Sequence, residues 1–311
     1  MDTNKPTKID FAAEIDFSEI LTNPILDIAA QFWDNDRYDA FRVCYRSMRV
    51  LDDLVDNRKE AGSMISARER ELLGNMIDDW LNSLHRKLPT DQFQKHLLKA
   101  IDHYRIPIWP WERLARAMKY DLNHDGFTSI LVFLRYCEGA AIAPASIFTH
   151  LCGVTPSGDD FLPPSYDVRL AARSLALFSY FVHIMRDFQK DQQAGLNYIV
   201  DNMLAIENVS RGDLQKIANG SPIDDRFRRL MARYAMVAEY YRLRARSNLD
   251  RLLPQLTPRY QLSLEVIYGL YLQIFQRVRP SSGMFTSEEL NPTPEEVKGQ
   301  LDRIVSSFEP L

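Results

Sequence analysis

Apolar residues recur at three- and four-residue steps along most of the chain, and no segment shows the sustained two-residue alternation of a strand. Ile20, Leu21, Ile25, Ile28 and Phe32 predict a short helix over 20–33, with Pro24 near its first turn. A second helix starts at Asp36, where Phe41, Tyr45, Met48, Leu51, Leu54 and Val55 keep the same period. Further helices are predicted over 66–87, 91–104, 110–123, 128–151, 167–192, 224–252 and 259–278, and a last one over 294–307. The breaks fall at Pro107, Pro110, Gly126, the segment TPSGDDFLPPS, Gly220-Ser221-Pro222 and Leu253-Pro254. Residues 1–15 are polar and mixed and predict a flexible end. No later stretch has a linker's composition, so 16–311 is expected to form one all-α domain.

Composition narrows this picture. With 46% hydrophobic residues among 311, the chain has apolar material for a large core. A net charge of -4 gives no drive toward nucleic acid, so an anionic ligand must be held by local cations. Cys44, Cys137 and Cys152 sit in apolar or helical contexts, not in paired metal or disulfide spacings, which predicts a reduced, cytoplasmic setting. Nowhere do about 18 apolar residues run consecutively. A protein without transmembrane segments is expected, although a greasy substrate would bring it to a membrane surface.

The candidate chemistry lies in acidic clusters. In RVLDDLVDNRKE, Asp52 and Asp56 stand four apart, so about 400° of helical turn puts both carboxylates on one face, with Asp53 alongside. Magnesium, a hard cation that takes oxygen ligands and keeps several waters, suits such a cluster when a substrate phosphate completes its shell, and Arg49 one turn earlier is placed to meet that phosphate. A solvated acidic face accounts for the same residues. In FSYFVHIMRDFQKDQQAGLNYIV, Asp187 and Asp191 are again four apart, at the end of a run so apolar that its helix must be largely buried. Arg186 and Lys190 either neutralise these acids as a plain ion-pair network or hold a diphosphate. Between the clusters, Asp121 and Asp125 precede Gly126, so His124 and Asp125 are read as finishing a helix. The next helix carries Gly139, Ala140, Ala141, Ala143, Ala145 and Ser146, small residues that permit close packing or leave room for an isoprenoid chain.

The order and spacing of YRSMRVLDDLVD, MKYDL, LRYCEGAA, HIMRDFQKDQQAGLNYI and YLQIFQRV resemble the squalene/phytoene synthase family over roughly residues 20 to 290. The resemblance implies an isoprenoid synthase fold, a single helical bundle whose central cavity has two aspartate motifs facing each other at its mouth. It also implies head-to-head joining of two prenyl diphosphates, farnesyl or geranylgeranyl, through a cyclopropylcarbinyl diphosphate. By this likeness Asp52, Asp56, Asp187 and Asp191 are magnesium ligands, and Arg49 and Arg186 are diphosphate partners. Tyr136 and Tyr271 are polar groups near the leaving diphosphate, Asp53 and His183 line the substrate site, and Asp121 matches the family's Asp-Leu before the Tyr-Cys segment.

The chain departs from the family pattern at several points. His183 stands where an asparagine is usual, and is read either as a hydrogen-bond donor in its place or as a core histidine. The stretch after the second motif is Gln193-Ala194-Gly195-Leu196-Asn197, with fewer arginines than usual, and Ala140-Ala141-Ile142 is followed by Pro144 in place of the Val-Ala-Gly segment. Asn23-Pro24-Ile25-Leu26 replaces a Ser-x-Ser-Phe pattern, and Ser287-Glu288-Glu289-Leu290 replaces a basic one. These losses leave a second diphosphate with fewer partners. A class I terpene synthase-like enzyme acting on one diphosphate and a non-catalytic helical relative therefore stay in view. No dinucleotide fingerprint is present; squalene-forming relatives bind NADPH without one, so NADPH is left undecided. Oligomeric state is likewise left open.

Overall fold

In the computed structural model the described residues are 20–60, 65–158 and 160–311, so the predicted flexible end 1–15 lies outside them. The described residues fold as helices, apart from a two-stranded hairpin, Thr155–Ser157 with Asp160–Leu162. The all-α expectation therefore holds, and the hairpin falls in the Pro- and Gly-rich break between two core helices. In chain order the helices are α1 (Ile25–Ala30), α2 (Asn35–Glu60), α3 (Ala67–His85), α4 (Gln92–His103), α5 (Trp109–Asn123), α6 (Ile130–Cys137) and α7 (Ala143–Gly153). After the hairpin come α8 (Val168–Arg186), α9 (Phe188–Gln193), α10 (Asp201–Glu207), α11 (Arg211–Ala218), α12 (Asp225–Leu252), α13 (Pro258–Phe275), α14 (Ser287–Leu290) and α15 (Pro294–Ser307).

Local chemistry sets where these helices begin. Ser66 with Glu69, Ser210 with Asp213 and Thr293 with Glu296 form reciprocal capping boxes, and Asp91, Ser129, Asp167 and Asp224 each accept a first-turn backbone N–H. Each such cap stabilises its helix by about 1 kcal/mol. The periodicity missed α10, α11 and α14, which are too short to display a face, and it joined what the structure divides. The predicted helix 128–151 contains a π-helical turn, Glu138–Ile142, and the predicted helix 167–192 breaks at Asp187.

A continuous apolar core runs through the bundle, with α8 packed against α7, α12, α13 and the π turn. Its large polar-tipped members are satisfied: Trp111 Nε1 donates to Ser47 Oγ at 2.8 Å, and Trp33 Nε1 to Ser263 Oγ at 2.8 Å. The π turn is fixed from two sides. A Cβ on Gly139 would lie 2.2 Å from the Arg113 carbonyl oxygen, so α5 approaches as only glycine allows, while Arg169 and Arg173 pair with the buried Glu138. Small residues thus serve close packing at Gly139, and the widened turn sets Ala140 and Ala141 on the wall of a cavity.

Two helical stretches, Ile130–Gly153 and Val168–Arg186, are long and apolar enough to cross a membrane by length and composition. About half of each is buried inside the bundle (50% and 56%), as expected of core helices.

Candidate active site

A cavity of about 600 Å³ opens between α2 and α8–α9, within the size range of small-molecule sites. Its mouth carries Arg49, Asp52, Asp53, Asp56, His183, Arg186, Asp187, Asp191 and Tyr271, and its depth is walled by side chains such as Met48, Ala140, Phe148, Leu175, Leu252 and Ile267. One end is charged and the other is hydrocarbon. The periodicity of the two motifs produces this arrangement: α2 continues through its aspartates, whereas α8 ends at Arg186 and α9 resumes at Phe188. The Asp191 N–H still donates to the Asp187 carbonyl at 2.8 Å, so the four-residue register of the second motif survives the break.

At the first motif Arg49 bonds both Asp52 and Asp53, all on the open side of the helix. Burial raises the Asp52 pKa despite Arg49, with Asp53 and Asp121 adding to the effect. Asp56 makes no side-chain hydrogen bond or ion pair among the described residues; burial, then Asp52 and Asp121, push it up to about 7.

At the second motif Arg186 clamps Asp187 through two bonds, Nε to Oδ1 at 2.6 Å and Nη2 to Oδ2 at 2.8 Å. Burial works against the Asp187 carboxylate, but these bonds and the neighbouring cations win and hold its pKa below the usual value. Arg186 Nη2 also donates to His183 Nδ1 at 2.8 Å, which leaves the proton on Nε2, 3.1 Å from Asp187 Oδ2. His183 therefore stands beside the motif aspartate at the cavity mouth and is not a core residue. Its ring faces the cavity, walled by protein yet open to a water-sized molecule, and crowding lowers its pKa to about 4, so it is neutral at neutral pH. Asp191, like Asp56, is unpaired among the described residues, and burial followed by repulsion from Asp187 raises it to about 7. Asp56 adds to that repulsion, in keeping with both motifs lining the same mouth.

Asp121 does not line the cavity. It is buried behind Tyr136, whose hydroxyl donates to Asp121 Oδ2 at 2.6 Å, while Lys59 Nζ stands 3.3 Å from Oδ1. Tyr180 stacks on His183 beside them, and the bonds at Asp121 link polar groups of α2, α5 and α6. Tyr271 lies on the wall near Arg186, its pKa raised by burial. His124 and Asp125 do finish a helix: His124 caps α5 against the Tyr120 carbonyl, and Asp125 is exposed.

Sequence reasoning passed over Tyr180, Tyr198 and the cavity-lining Asn57. Burial, followed by repulsion from Asp56, Asp121, Asp191 and Asp52, raises the Tyr198 pKa well above its usual value, so its hydroxyl stays a proton donor among four carboxyl groups. Its position just after the second motif was the available signal. Lys190, read with Arg186 either as an ion-pair partner of the acids or as a holder of diphosphate, lines the mouth and has no ion pair among the described residues. Glu288 and Glu289 turn out not to line the cavity, so their charge does not oppose a second diphosphate there. Glu289 instead accepts the N–H groups of Met284 and Phe285, at 2.7 and 2.8 Å.

No group of three or more His, Cys, Asp or Glu side chains among the described residues forms a ready metal cage. The donor set nonetheless fits magnesium, which binds through one or two carboxylates and substrate phosphate instead of a closed protein shell. Asp56 and Asp191 are the fitting pair, unpaired and mutually repelling.

The squalene/phytoene synthase family model matches residues 27–295. The chain belongs to that family. Among curated proteins it is similar to a chloroplastic phytoene synthase of an Oncidium hybrid cultivar, 25% identical over 63% of this chain and 44% of that one. A 15-cis-phytoene synthase of Synechococcus elongatus is 25% identical over 59% of this chain and 57% of that one. The match thus spans about half the length of these relatives. Among solved structures, a dehydrosqualene synthase in complex with ligand superposes with a TM-score of 0.71 over 96% of this chain and 95% of that chain, at 17% identity. A squalene synthase from Alicyclobacillus acidocaldarius gives 0.65 over 86% and 89%, also at 17% identity. These likenesses show the isoprenoid synthase fold.

Proposed function

We propose that this protein is a prenyltransferase that condenses two prenyl diphosphates, farnesyl or geranylgeranyl, head to head through a cyclopropylcarbinyl diphosphate to a squalene- or phytoene-type product. The observation that carries this reading is the cavity's polarity, with two opposed carboxylate motifs at the mouth of an apolar chamber. Asp52, Asp56, Asp187 and Asp191 are the residues that would hold magnesium, which when bound draws negative charge from the diphosphate and makes it a better leaving group. Lys190 supplies a free positive charge to the departing anion, and Tyr198 and Tyr271 supply hydroxyl donors around it, while the Tyr136 hydroxyl proton is held by Asp121. Arg186 keeps the Asp187 carboxylate ionised and aimed, with the neutral His183 ring beside it. The diphosphate leaves with the electron pair of its C–O bond, and the apolar walls keep water from the allylic cation that remains. The second prenyl chain adds its double bond to that cation, and the tertiary cation so formed closes to the cyclopropane as one proton is lost to the released diphosphate.

The test is incubation of the purified protein with each prenyl diphosphate, with magnesium, with and without NADPH, followed by mass analysis. A product of twice the substrate's carbon count is expected. Recovery of only C15 or C20 hydrocarbons and alcohols, at every concentration, would replace condensation with a one-substrate terpene synthase.

A further inference from the structure

The cavity edge of α8 is a graded ladder. Ala172, Leu175 and Ala176 face the apolar depth, His183 and Asp187 face the mouth, and Ser179 stands at the crossing. Six serines are buried among the described residues: Ser47, Ser83, Ser146, Ser174, Ser179 and Ser263. Five have settled partners. Ser47, Ser146 and Ser263 donate to backbone carbonyls three or four residues back, Ser83 donates to the Trp80 carbonyl, and Ser174 accepts from Asn248. Ser179 Oγ alone has no hydrogen-bond partner, although its residue is only 9% exposed. The Leu175 carbonyl one turn back is the usual resort of a helical serine, and this hydroxyl does not take it.

A buried hydroxyl without a partner is unfavourable unless something else meets it. Its height in the cavity says what that is. Eight residues at 1.5 Å per residue put Ser179 roughly 12 Å below Asp187 along the helix axis. A diphosphate held by metal at the Asp187 end of this wall would direct its prenyl chain down the helix, and the carboxylate, the metal and the diphosphate together take up most of that distance, so the first carbons of the chain come level with Ser179. Those carbons carry the positive charge once the diphosphate has left.

Resting on the reading of this site as a prenyl diphosphate enzyme, we infer that Ser179 is a catalytic residue whose hydroxyl oxygen faces the allylic carbons and stabilises their developing charge by its dipole. No bond to Ser179 forms. The C–O bond breaks heterolytically, the diphosphate takes the electron pair, and the serine oxygen offers its lone pairs to the cation in a site of low dielectric. A serine serves here better than a carboxylate, which would add another like charge near the motifs.

The proposal separates from a structural role because the two move stability in opposite directions. In Ser179→Ala the melting temperature of the free protein should stay the same or rise, since an unmet buried polar group is removed. The kcat of Ser179→Ala should fall about ten- to hundredfold. Its affinity for a non-ionising thiolodiphosphate analogue of the substrate should stay near wild type, because the contact matters only when charge develops. Ser179→Thr, which keeps the hydroxyl, should recover most of the rate. Wild-type kcat in Ser179→Ala, or a melting temperature several degrees lower, would overturn the role of Ser179 and leave the functional reading standing. If the wild-type protein turns over no prenyl diphosphate while still binding the analogue, the functional reading falls and takes this inference with it.

Discussion

The two aspartate pairs have the same spacing and opposite electrostatics. On α2, Arg49 is shared between Asp52 and Asp53 on an open surface, and Asp52 remains harder to ionise than a free aspartate. At the end of α8, Arg186 and His183 converge on Asp187 alone, with Asp187 only 14% exposed, and its carboxylate is easier to ionise than usual. The second motif thus holds one preformed anion, whereas the first crowds three acids around a single arginine, with Asp121 behind them paired to Lys59. Both leave their far member, Asp56 or Asp191, unpaired at about 7. A cation arriving at the mouth relieves more repulsion at the first motif, while the second offers it a fixed ligand.

The largest effect should come from the unpaired members. Asp56→Asn and Asp191→Asn should each reduce kcat by about 10²- to 10³-fold, since each removes a charge that would bind metal where the leaving group develops its own. Near wild-type steady-state turnover in either variant would break the two-motif account.

Stability should divide the motifs next. Asp187→Asn leaves Arg186 without its bidentate partner and should destabilise the free protein by about 1–3 kcal/mol. Asp52→Asn and Asp56→Asn reduce like-charge repulsion and should leave the melting temperature unchanged or higher. A simpler expectation, drawn from spacing alone, is that neutralising any motif aspartate relieves repulsion. The Arg186 clamp reverses that sign at Asp187, and equal shifts in thermal melts would remove the distinction.

The pH dependence sharpens it further. Asp56 and Asp191 ionise near 7 in the folded protein and near 4 in an unfolded chain, so the folded state holds the extra protons between those values. Stability of the free protein should therefore fall as pH rises through that window and level off above about 7. Magnesium-dependent analogue binding should strengthen over the same rise, on the order of tenfold between pH 6 and 8. Affinity that is flat across this range in calorimetric titrations would place the metal on other ligands. The smallest effect concerns the late acidic segment. Glu289→Ala should destabilise by about 1 kcal/mol without changing KM, because Glu289 holds the loop at Phe285, whose φ is 56°.

The long helices were legible because each buries one face, and the paired aspartates because i, i+4 spacing on a helix is a geometric certainty. Short α10 and α11 were not, since seven or eight residues pack as connectors and display no periodic face. The π turn depends on Gly139 meeting α5, a contact between segments that no local pattern contains. Partnering was the least legible feature. Arg49 and Arg186 read as diphosphate ligands in the sequence, and in the folded protein both are engaged by motif aspartates, leaving Lys190 as the cation at the mouth without an ion pair among the described residues. Asp121, matched by the resemblance to the substrate region, lies behind the cavity wall and accepts from Tyr136.

The central claim is that the two motifs take up a diphosphate only together with a divalent cation. The direct measurement is the thermal melt of the wild-type protein with a non-ionising prenyl diphosphate analogue, run in magnesium and in chelator. The account predicts that the analogue raises the melting temperature in magnesium and leaves it unmoved in chelator, because like-charged carboxylates repel the bare anion. An equal rise in both would contradict it and point to a purely basic pocket that binds the diphosphate without ionising it.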